Sequence, residues 1–478
     1  MRVFLIGWCG SLPETVEVVS ILKNKSHEIK YWILSNDSAI DKSKFPEIVF
    51  HNFFDAMNNR PAEGVDDSEF PPLDKNFIKR FYEAESIILT MMNKRYEWMG
   101  IEERKHYYYR LLQYWYGVIE RFKPEVIVFS SIPHASYEYV IYFLARELKI
   151  KTVLFEPFWI NDRMLIMNDY KIGSERLFRE VERVRGKQFA LADVSADLTE
   201  YYLMQINKSA DATPGYLKDI KKTYSGVNWI RVKSKAFWGS IRRGIFFERV
   251  VNFLFKKFWR NLKKEYLNVQ SKPDFGRKYV YFPLHYQPEC ATSPLGDIFV
   301  DQLLAAEVLS ASLPDDWLLY IKEHPAQWLI RGINYFSYRY EGYYKKMSKL
   351  KNTKIVPMEM DTYALINNAA AVATITGTAG WEAVLRGKPA LVFGYAWYKH
   401  APGVFKIDGV KSGREALQKI AAGFALSEQE IINYLKALDQ GSFRGYFHYR
   451  KKILNKVSKE ENTVNLLNTL LQEFENIG

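Results

Sequence analysis

Residues 376–380, Thr-Gly-Thr-Ala-Gly, follow the β-rich run Val372 to Ile375 and directly precede a stretch patterned as a helix. Small residues there let backbone N–H groups approach a ligand, and the helix points its positive end at them, so the turn suits a phosphate or diphosphate. Thr376, Gly377, Thr378 and Gly380 form that site in this reading, and the two threonines are equally suited to capping the helix. The pattern sets Glu382 in the first helical turn, where it either accepts hydrogen bonds from ribose hydroxyls or serves as an acid at the positive end of the helix. Two more clusters end apolar runs. Lys322 and His324 stand in Lys-Glu-His-Pro and suit phosphate oxygens, although each alone fits a solvated lysine and a capping histidine. Gln287 and Glu289 stand in His-Tyr-Gln-Pro-Glu, where turn chemistry around Pro288 is the competing account.

These residues need a scaffold that collects strand ends. Apolar runs near 279–283, 317–322, 354–356, 371–375 and 389–393 alternate with helical patterns near 298–312, 361–369 and 380–386, which predicts a parallel sheet. Arg386-Gly387-Lys388-Pro389 carries the usual helix stop. The amino-terminal part opens as strand, helix, strand over 2–34, without the three-glycine spacing of a dinucleotide fingerprint. Residues 55–75 are rich in Pro, Asp and Asn and read as a surface loop and candidate lid. A helical pattern over 77–122 ends at Lys123-Pro124, a buried strand follows over 125–129, then a helix over 135–148 and a strand over 152–155. Ligands gather beyond the carboxyl ends of such strands, which puts His134 and Glu156 on the functional edge. The division expected is an amino-terminal Rossmann-like domain (1–175), a helical basic connection (176–276), a carboxyl-terminal Rossmann-like domain (277–410) and closing helices (411–478).

The 478-residue length exceeds one ordinary core, and 48% hydrophobic content marks a globular chain. Cys9 and Cys290 cannot build a disulfide framework or, by themselves, a zinc site, which points to a reducing compartment. The start, MRVFLIGWCG, reads as a first strand rather than a signal peptide, and no run of 18 apolar residues occurs, so the expected location is cytoplasmic. Net charge is +12, and residues 231–264 hold eleven basic side chains against one acidic one, Glu248. Within them Trp238, Ile241, Ile245, Val251, Leu254, Phe258 and Leu262 recur at helical spacing beside Arg242, Arg243, Lys256 and Lys257. That stripe is either an interfacial helix on an anionic membrane face or the core side of a domain-bridging helix. No nucleic-acid motif accompanies the charge.

The stretch TGTAGWEAVLRGKPALVFGYAWY, with YVYFPLHYQPE and LLYIKEHPAQW upstream in the same order, resembles bacterial capsule-type polysaccharide biosynthesis glycosyltransferases, the Kdo transferases among them. The resemblance covers about 275–405 and implies an α/β fold of GT-B type, two Rossmann-like domains facing across a cleft. It also implies a nucleotide sugar held by the carboxyl-terminal domain and a glycan or lipid-linked acceptor bound mainly by the other. CMP-Kdo is the first donor it suggests, with UDP, GDP and other CMP sugars open.

Glycosyl transfer needs cations for the leaving phosphate and a carboxylate or histidine for the acceptor hydroxyl. Lys322 and His324 supply the first, with neither a separate cofactor nor a metal site indicated. Glu156, Glu289 and His134 are the candidates for the second, with Glu138 placed to orient His134. A buried ion pair is the alternative for Glu156, and a structural role for His134. Two other functions stay open: a nucleotide-sugar 2-epimerase-like isomerase, and a non-catalytic polysaccharide assembly or export factor.

Overall fold

The computed structural model describes the chain except residues 36–39, 97, 159, 161, 208–229, most of 232–260, 329–338, 448–456 and 476–478. Two compact units emerge. The first comprises Met1–Thr199, Ser293–Asp297 and Ile432–Gly478, and the second Glu200–Thr292 and Ile298–Ile431.

The first unit is built on β1 (Arg2–Trp8), β2 (Glu28–Leu34), β3 (Val49–Asn52), β4 (Val126–Phe129), β5 (Lys151–Pro157) and β6 (Arg163–Met167). A two-residue strand from far along the chain, Phe443–Arg444, completes the sheet and is here β13. The order is β13-β6-β5-β4-β1-β2-β3, with β1 to β5 parallel and β6 and β13 antiparallel at one edge. Buried on both faces, β1 and β4 read as unbroken apolar runs. Val3 and Leu5 pack with Val18, Val19 and Leu22 of the helix Pro13–Asn24, while Phe4 on the opposite face meets Tyr31 and Phe122.

Three sequence expectations change here. The helical pattern of 77–122 resolves into Lys75–Lys79, Tyr82–Met91 and Ile101–Phe122. The break before Gly100 is fastened by Arg104, whose Nε donates to the carbonyls of Tyr96 (3.0 Å) and Met99 (3.1 Å). The proposed lid over 55–75 is anchored instead: Ala62, Val65 and Phe70 are buried, and a Cβ on Gly117 would lie 2.3 Å from the Phe70 ring. β5 runs on through Glu156 and Pro157, which pair with Leu165 and Met164 of β6, so Glu156 lies within a strand rather than beyond one.

The second unit holds an all-parallel sheet, made of β7 (Tyr279–Pro283), β8 (Leu318–Lys322), β9 (Thr353–Ile355), β10 (Ala371–Thr374), β11 (Ala390–Val392) and β12 (Val404–Lys406). Its order is β12-β11-β10-β7-β8-β9. Side chains alternate between two buried layers. Val280, Phe282, Leu319 and Ile321 face one, and Tyr279, Tyr281, Leu318 and Tyr320 the other. Five of these strands match the expected runs, whereas β12 was not expected. Two mainly parallel α/β units make the fold GT-B-like.

The basic segment falls mostly outside the described residues, including Ile245, Phe258, Arg242, Arg243, Lys256 and Lys257. Of its apolar stripe, Trp238, Ile241, Val251 and Leu254 are exposed, while Leu262 belongs to the core of the second unit. Among the described residues no helix is long and apolar enough to cross a membrane.

Candidate functional site

In the second sheet the chain runs outward from β7 through β8 to β9, then returns to the other side of β7 for β10, β11 and β12. The crevice beyond the carboxyl ends of β7 and β10 is therefore the topological switch point, where α/β sheets bind ligands. The loop after β7 carries His285, Gln287 and Glu289, the loop after β10 carries Thr376 to Gly380, and β8, on the other side of β7, ends in Lys322 and leads into His324.

The helix after β10 starts at Thr378 with Gly377 as N-cap, two residues earlier than its pattern predicts. Thr374, buried at the strand end, accepts the Gly377 N–H on Oγ1 at 3.0 Å. Thr376 Oγ1 donates to the Ala291 carbonyl at 2.7 Å, so neither Thr376 nor Thr378 is the cap. The peptide N–H groups of Thr378 and Ala379 have no acceptor among the described residues, and the half-buried turn exposes them to an incoming anion. The glycines have steric reasons. A Cβ on Gly377 would stand 2.8 Å from His285 Nε2, and one on Gly380 would stand 2.5 Å from the Tyr398 hydroxyl, which itself donates to the Gly377 carbonyl at 2.5 Å.

His285, which sequence reasoning missed, lies against this turn. Its Nε2 is 3.4 Å from both Thr376 N and Thr374 Oγ1. Burial, with the neighbouring His324 and Arg339, pushes its pKa down to about 3, so the ring is neutral. Its backbone is clamped by Gln302, which accepts His285 N–H at 2.6 Å and donates to its carbonyl at 3.1 Å. Gln287 is equally committed: Nε2 donates to the Val300 carbonyl at 2.7 Å and Oε1 accepts from Arg339.

Arg339 organises the floor of the site. Its guanidinium pairs with both oxygens of Glu323, at 2.9 and 3.1 Å, and donates to the His285 carbonyl at 2.9 Å. Glu323 is fully buried and Arg339 nearly so. The carboxylate also accepts from the Tyr344 hydroxyl at 2.5 Å and from His324 N–H at 2.7 Å. This network joins the loops after β7 and β8 into one rigid base. Glu323 stands inside the Lys-Glu-His-Pro motif, yet its partner is 16 residues away, too distant for any local pattern to reveal.

The remaining predicted residues are placed as follows. Lys322 is buried and donates to the Met360 carbonyl and the Thr362 hydroxyl, both at 2.7 Å. Glu382 is buried one turn into its helix, near Thr378 and Arg386, and burial raises its pKa to about 7. Glu289 is exposed in a turn whose carbonyl accepts from Thr292 N–H at 3.0 Å. Glu156 and His134 belong to the first unit, in β5 and in the loop after β4. Glu138 accepts the backbone N–H groups of His134 (3.1 Å) and Ala135 (3.0 Å), while its carboxylate is 3.8 Å from the imidazole. Among the described residues no group of three or more His, Cys, Asp or Glu side chains is placed to hold a metal ion.

Residues 298–420 match the family described as capsule polysaccharide biosynthesis protein. No curated protein matches the chain in sequence. Among solved structures, the beta Kdo 2,7 transferase KpsC of Thermosulfurimonas dismutans aligns over 75% of this chain and 89% of its own, at 13% identity and a TM-score of 0.31. The UDP-GlcNAc 2-epimerase of Methanocaldococcus jannaschii aligns over 91% and 98%, at 10% identity and 0.26. The beta Kdo 2,4 transferase KpsC of Thermosulfurimonas dismutans aligns over 66% and 87%, at 12% identity and 0.26. None of these three likenesses is close enough to speak for function. The family match spans β8 to β12 and takes in Lys322, His324, Arg339 and the turn at 376–380, so over residues 298–420 the chain is similar to the capsule polysaccharide biosynthesis proteins.

Proposed function

We propose that this protein is a glycosyltransferase that moves a sugar from a nucleotide donor to a growing glycan or lipid-linked acceptor in capsule polysaccharide synthesis. The observation that carries the reading is the switch-point crevice of the second sheet. There a helix start whose first N–H groups have no acceptor among the described residues stands beside a neutral histidine and the loop after β7. In transfer, the bond from the anomeric carbon to the phosphate oxygen breaks and its electron pair leaves with the nucleotide. The acceptor oxygen bonds to that carbon and gives up its proton. The Thr376 to Gly380 turn receives the departing phosphate, with Lys322, His324 and Gln287 shaping the pocket and Glu382 addressing the ribose. Glu156, Glu289 and His134 are the candidates for taking the proton or for bonding the sugar. CMP-Kdo is the first donor to try.

A thermal-shift panel of CMP, UDP, GDP and their sugars tests this. One nucleotide is expected to raise the melting temperature, since ligand at a hundred times Kd stabilises by about 2.7 kcal/mol. His324→Ala and Glu382→Ala are each expected to weaken that binding at least tenfold in calorimetry. Unchanged affinity in both variants would remove the assignment of the crevice. Epimer formation from a nucleotide sugar without acceptor would favour an isomerase instead.

We also propose that the basic segment holds the protein on an anionic membrane face, where its acceptor is assembled. The support is the exposure of Trp238, Ile241, Val251 and Leu254 within a strongly cationic stretch. Each basic side chain near such a surface contributes about 1 kcal/mol. Salt-sensitive binding to anionic liposomes is expected in sedimentation, lost when Arg242, Arg243, Lys256 and Lys257 are changed to Gln. Binding indifferent to those changes speaks against it.

A further inference from the structure

Glu382 stands one helical turn behind the turn at 376–380. Side chains on a helix lean toward its amino terminus, so residue 382 reaches back over residue 378, and the carboxyl makes its side-chain hydrogen bond with Thr378. Thr378 is also the first residue of the helix and, with Ala379, offers an N–H that has no acceptor among the described residues. The Glu382 side chain is buried, at 5% exposure. Arg386, the cation of the same helix end, is engaged elsewhere. Its Nη1 donates to Gln205 Oε1 and to the Glu382 carbonyl, each at 2.9 Å, and its guanidinium lies 4.5 Å from the Tyr363 ring centroid. Among the described residues the carboxylate forms no ion pair. The other titratable groups that face it are Tyr201, on the helix Ala196–Ile206, and Tyr281, on β7. Burial holds both phenols well above their ordinary range, so they stay uncharged through neutral pH.

One positive helix end therefore serves two anions. An ionised carboxyl in the first turn already offsets the dipole there. A phosphate or sulfate at the N–H groups of Thr378 and Ala379 brings a second negative charge to within about 5 Å, the length of one helical turn. Like charges that close, one of them buried, make the carboxyl hold a proton more tightly. Burial has already lifted that carboxyl to about 7 against the pull of Arg386 and Thr378. Neither of its charge states is costly at neutral pH, and the ligand decides between them.

We propose that Glu382 makes anion binding at this turn proton-linked: the anion arrives together with a proton, taken from solvent onto the carboxyl, and leaves when that proton leaves. Linkage is reciprocal, so a site that favours protonated Glu382 loses affinity as pH rises through neutrality. The anion site itself rests on the reading of the crevice given above. On the glycosyltransferase reading, the departing nucleotide carries one more negative charge on its phosphate than the donor did. The product is then the species most sensitive to the link, and alkali favours its release.

Calorimetry with sodium sulfate on the full chain tests this, because sulfate keeps its charge through the neutral range and has no ribose. Sulfate is expected to bind at pH 6.5 and to bind at least fivefold more weakly at pH 8.5, at matched ionic strength. At pH 7.5, titrations in two buffers of different ionisation enthalpy are expected to report net proton uptake, a measurement that needs no variant. Glu382→Gln holds the neutral state permanently and is expected to bind sulfate equally, within twofold, at both pH values. That variant retains His285, His324 and Lys322, so the difference between the two profiles belongs to Glu382. Sulfate affinity that is level with pH in the natural protein, or that falls equally in Glu382→Gln, overturns the proposal and leaves an anion site without a proton link. Absence of sulfate binding at every pH overturns it as well. The nucleotide thermal-shift panel answers separately. Sulfate binding linked to Glu382 without any nucleotide shift retains this inference and sinks the donor crevice, whereas nucleotide shifts without the link retain only the donor reading.

Discussion

Arg339→Met is expected to lower stability by about 3 to 5 kcal/mol, because it strands the Glu323 carboxylate in a site with no solvent access. Methionine fills much of the same space, so the loss reports the uncompensated charge rather than a void. Adding Glu323→Gln is expected to recover more than half, since an amide tolerates that burial better and its one carbonyl oxygen still accepts from either the Tyr344 hydroxyl or His324 N–H, which bond to different oxygens of the carboxylate. Urea unfolding of the two single variants and the double variant measures the coupling. If the double variant is no more stable than Arg339→Met, the guanidinium matters for packing and not for its charge. Nucleotide binding should fall in the single variant even under conditions where it remains folded, because the His285 carbonyl and Gln287 lose the group that fixes them.

Glu382→Gln is expected to stabilise the protein at pH 8 and to flatten its pH dependence. The carboxyl is buried beside Thr378 and Arg386, with Tyr201 and Tyr281 facing it, and its pKa rises from 4.5 to about 7. A carboxyl whose folded pKa is raised binds its proton more tightly in the native state. Its favourable contribution is therefore full below about pH 4.5, declines as pH rises, and is gone above about 7. The gap corresponds to roughly 3 kcal/mol, which the neutral amide does not forfeit. Melting temperatures of both proteins from pH 4.5 to 8 should diverge steadily as pH rises. Parallel curves would mean that the carboxyl is ionised throughout, balanced by Arg386.

These two residues also mark where sequence reading ends. The turn at 376–380 and the motifs around Gln287 and Lys322 are legible because each follows an apolar run, and in a parallel sheet such runs deliver their ends to one edge. Glu382 is visible as an acid near a helix start, but the helix begins two residues earlier than its pattern and turns the side chain inward. Arg339 is invisible, since nothing local distinguishes an arginine that meets a carboxylate 16 residues back and a carbonyl 54 residues back. His285 is hidden for the same reason: its neighbours Thr374 and Thr376 come from a strand end and the turn after it, about 90 residues away. In the fold, long apolar strands such as β1 and β7 are plain, whereas β12 and β13, three and two residues long, acquire their identity only from pairing. The pattern makes the seven-residue β5 too short, because Glu156 and Pro157 look like a terminus until β6 pairs with them.

The first unit is assembled from both extremities of the chain. Leu466, Leu470 and Phe474 of the helix Lys459–Glu475 share a core with Val3, Leu5 and Val18, and Tyr446 donates to the buried Glu14 at 2.6 Å. β13 pairs with β6, and Arg163 of that strand reaches Asp439 at 2.9 Å. During synthesis, then, residues 1–199 leave the ribosome with an unfinished core and must wait while the whole second unit is translated. The second unit is almost contiguous and is complete once residue 431 has emerged. The order of maturation thus runs opposite to the order of translation. Until the last helix arrives, the first sheet presents an apolar face and an unpaired edge to the crowded interior of the cell, and a nascent chain stalled before residue 432 would be a substrate for chaperones and proteases.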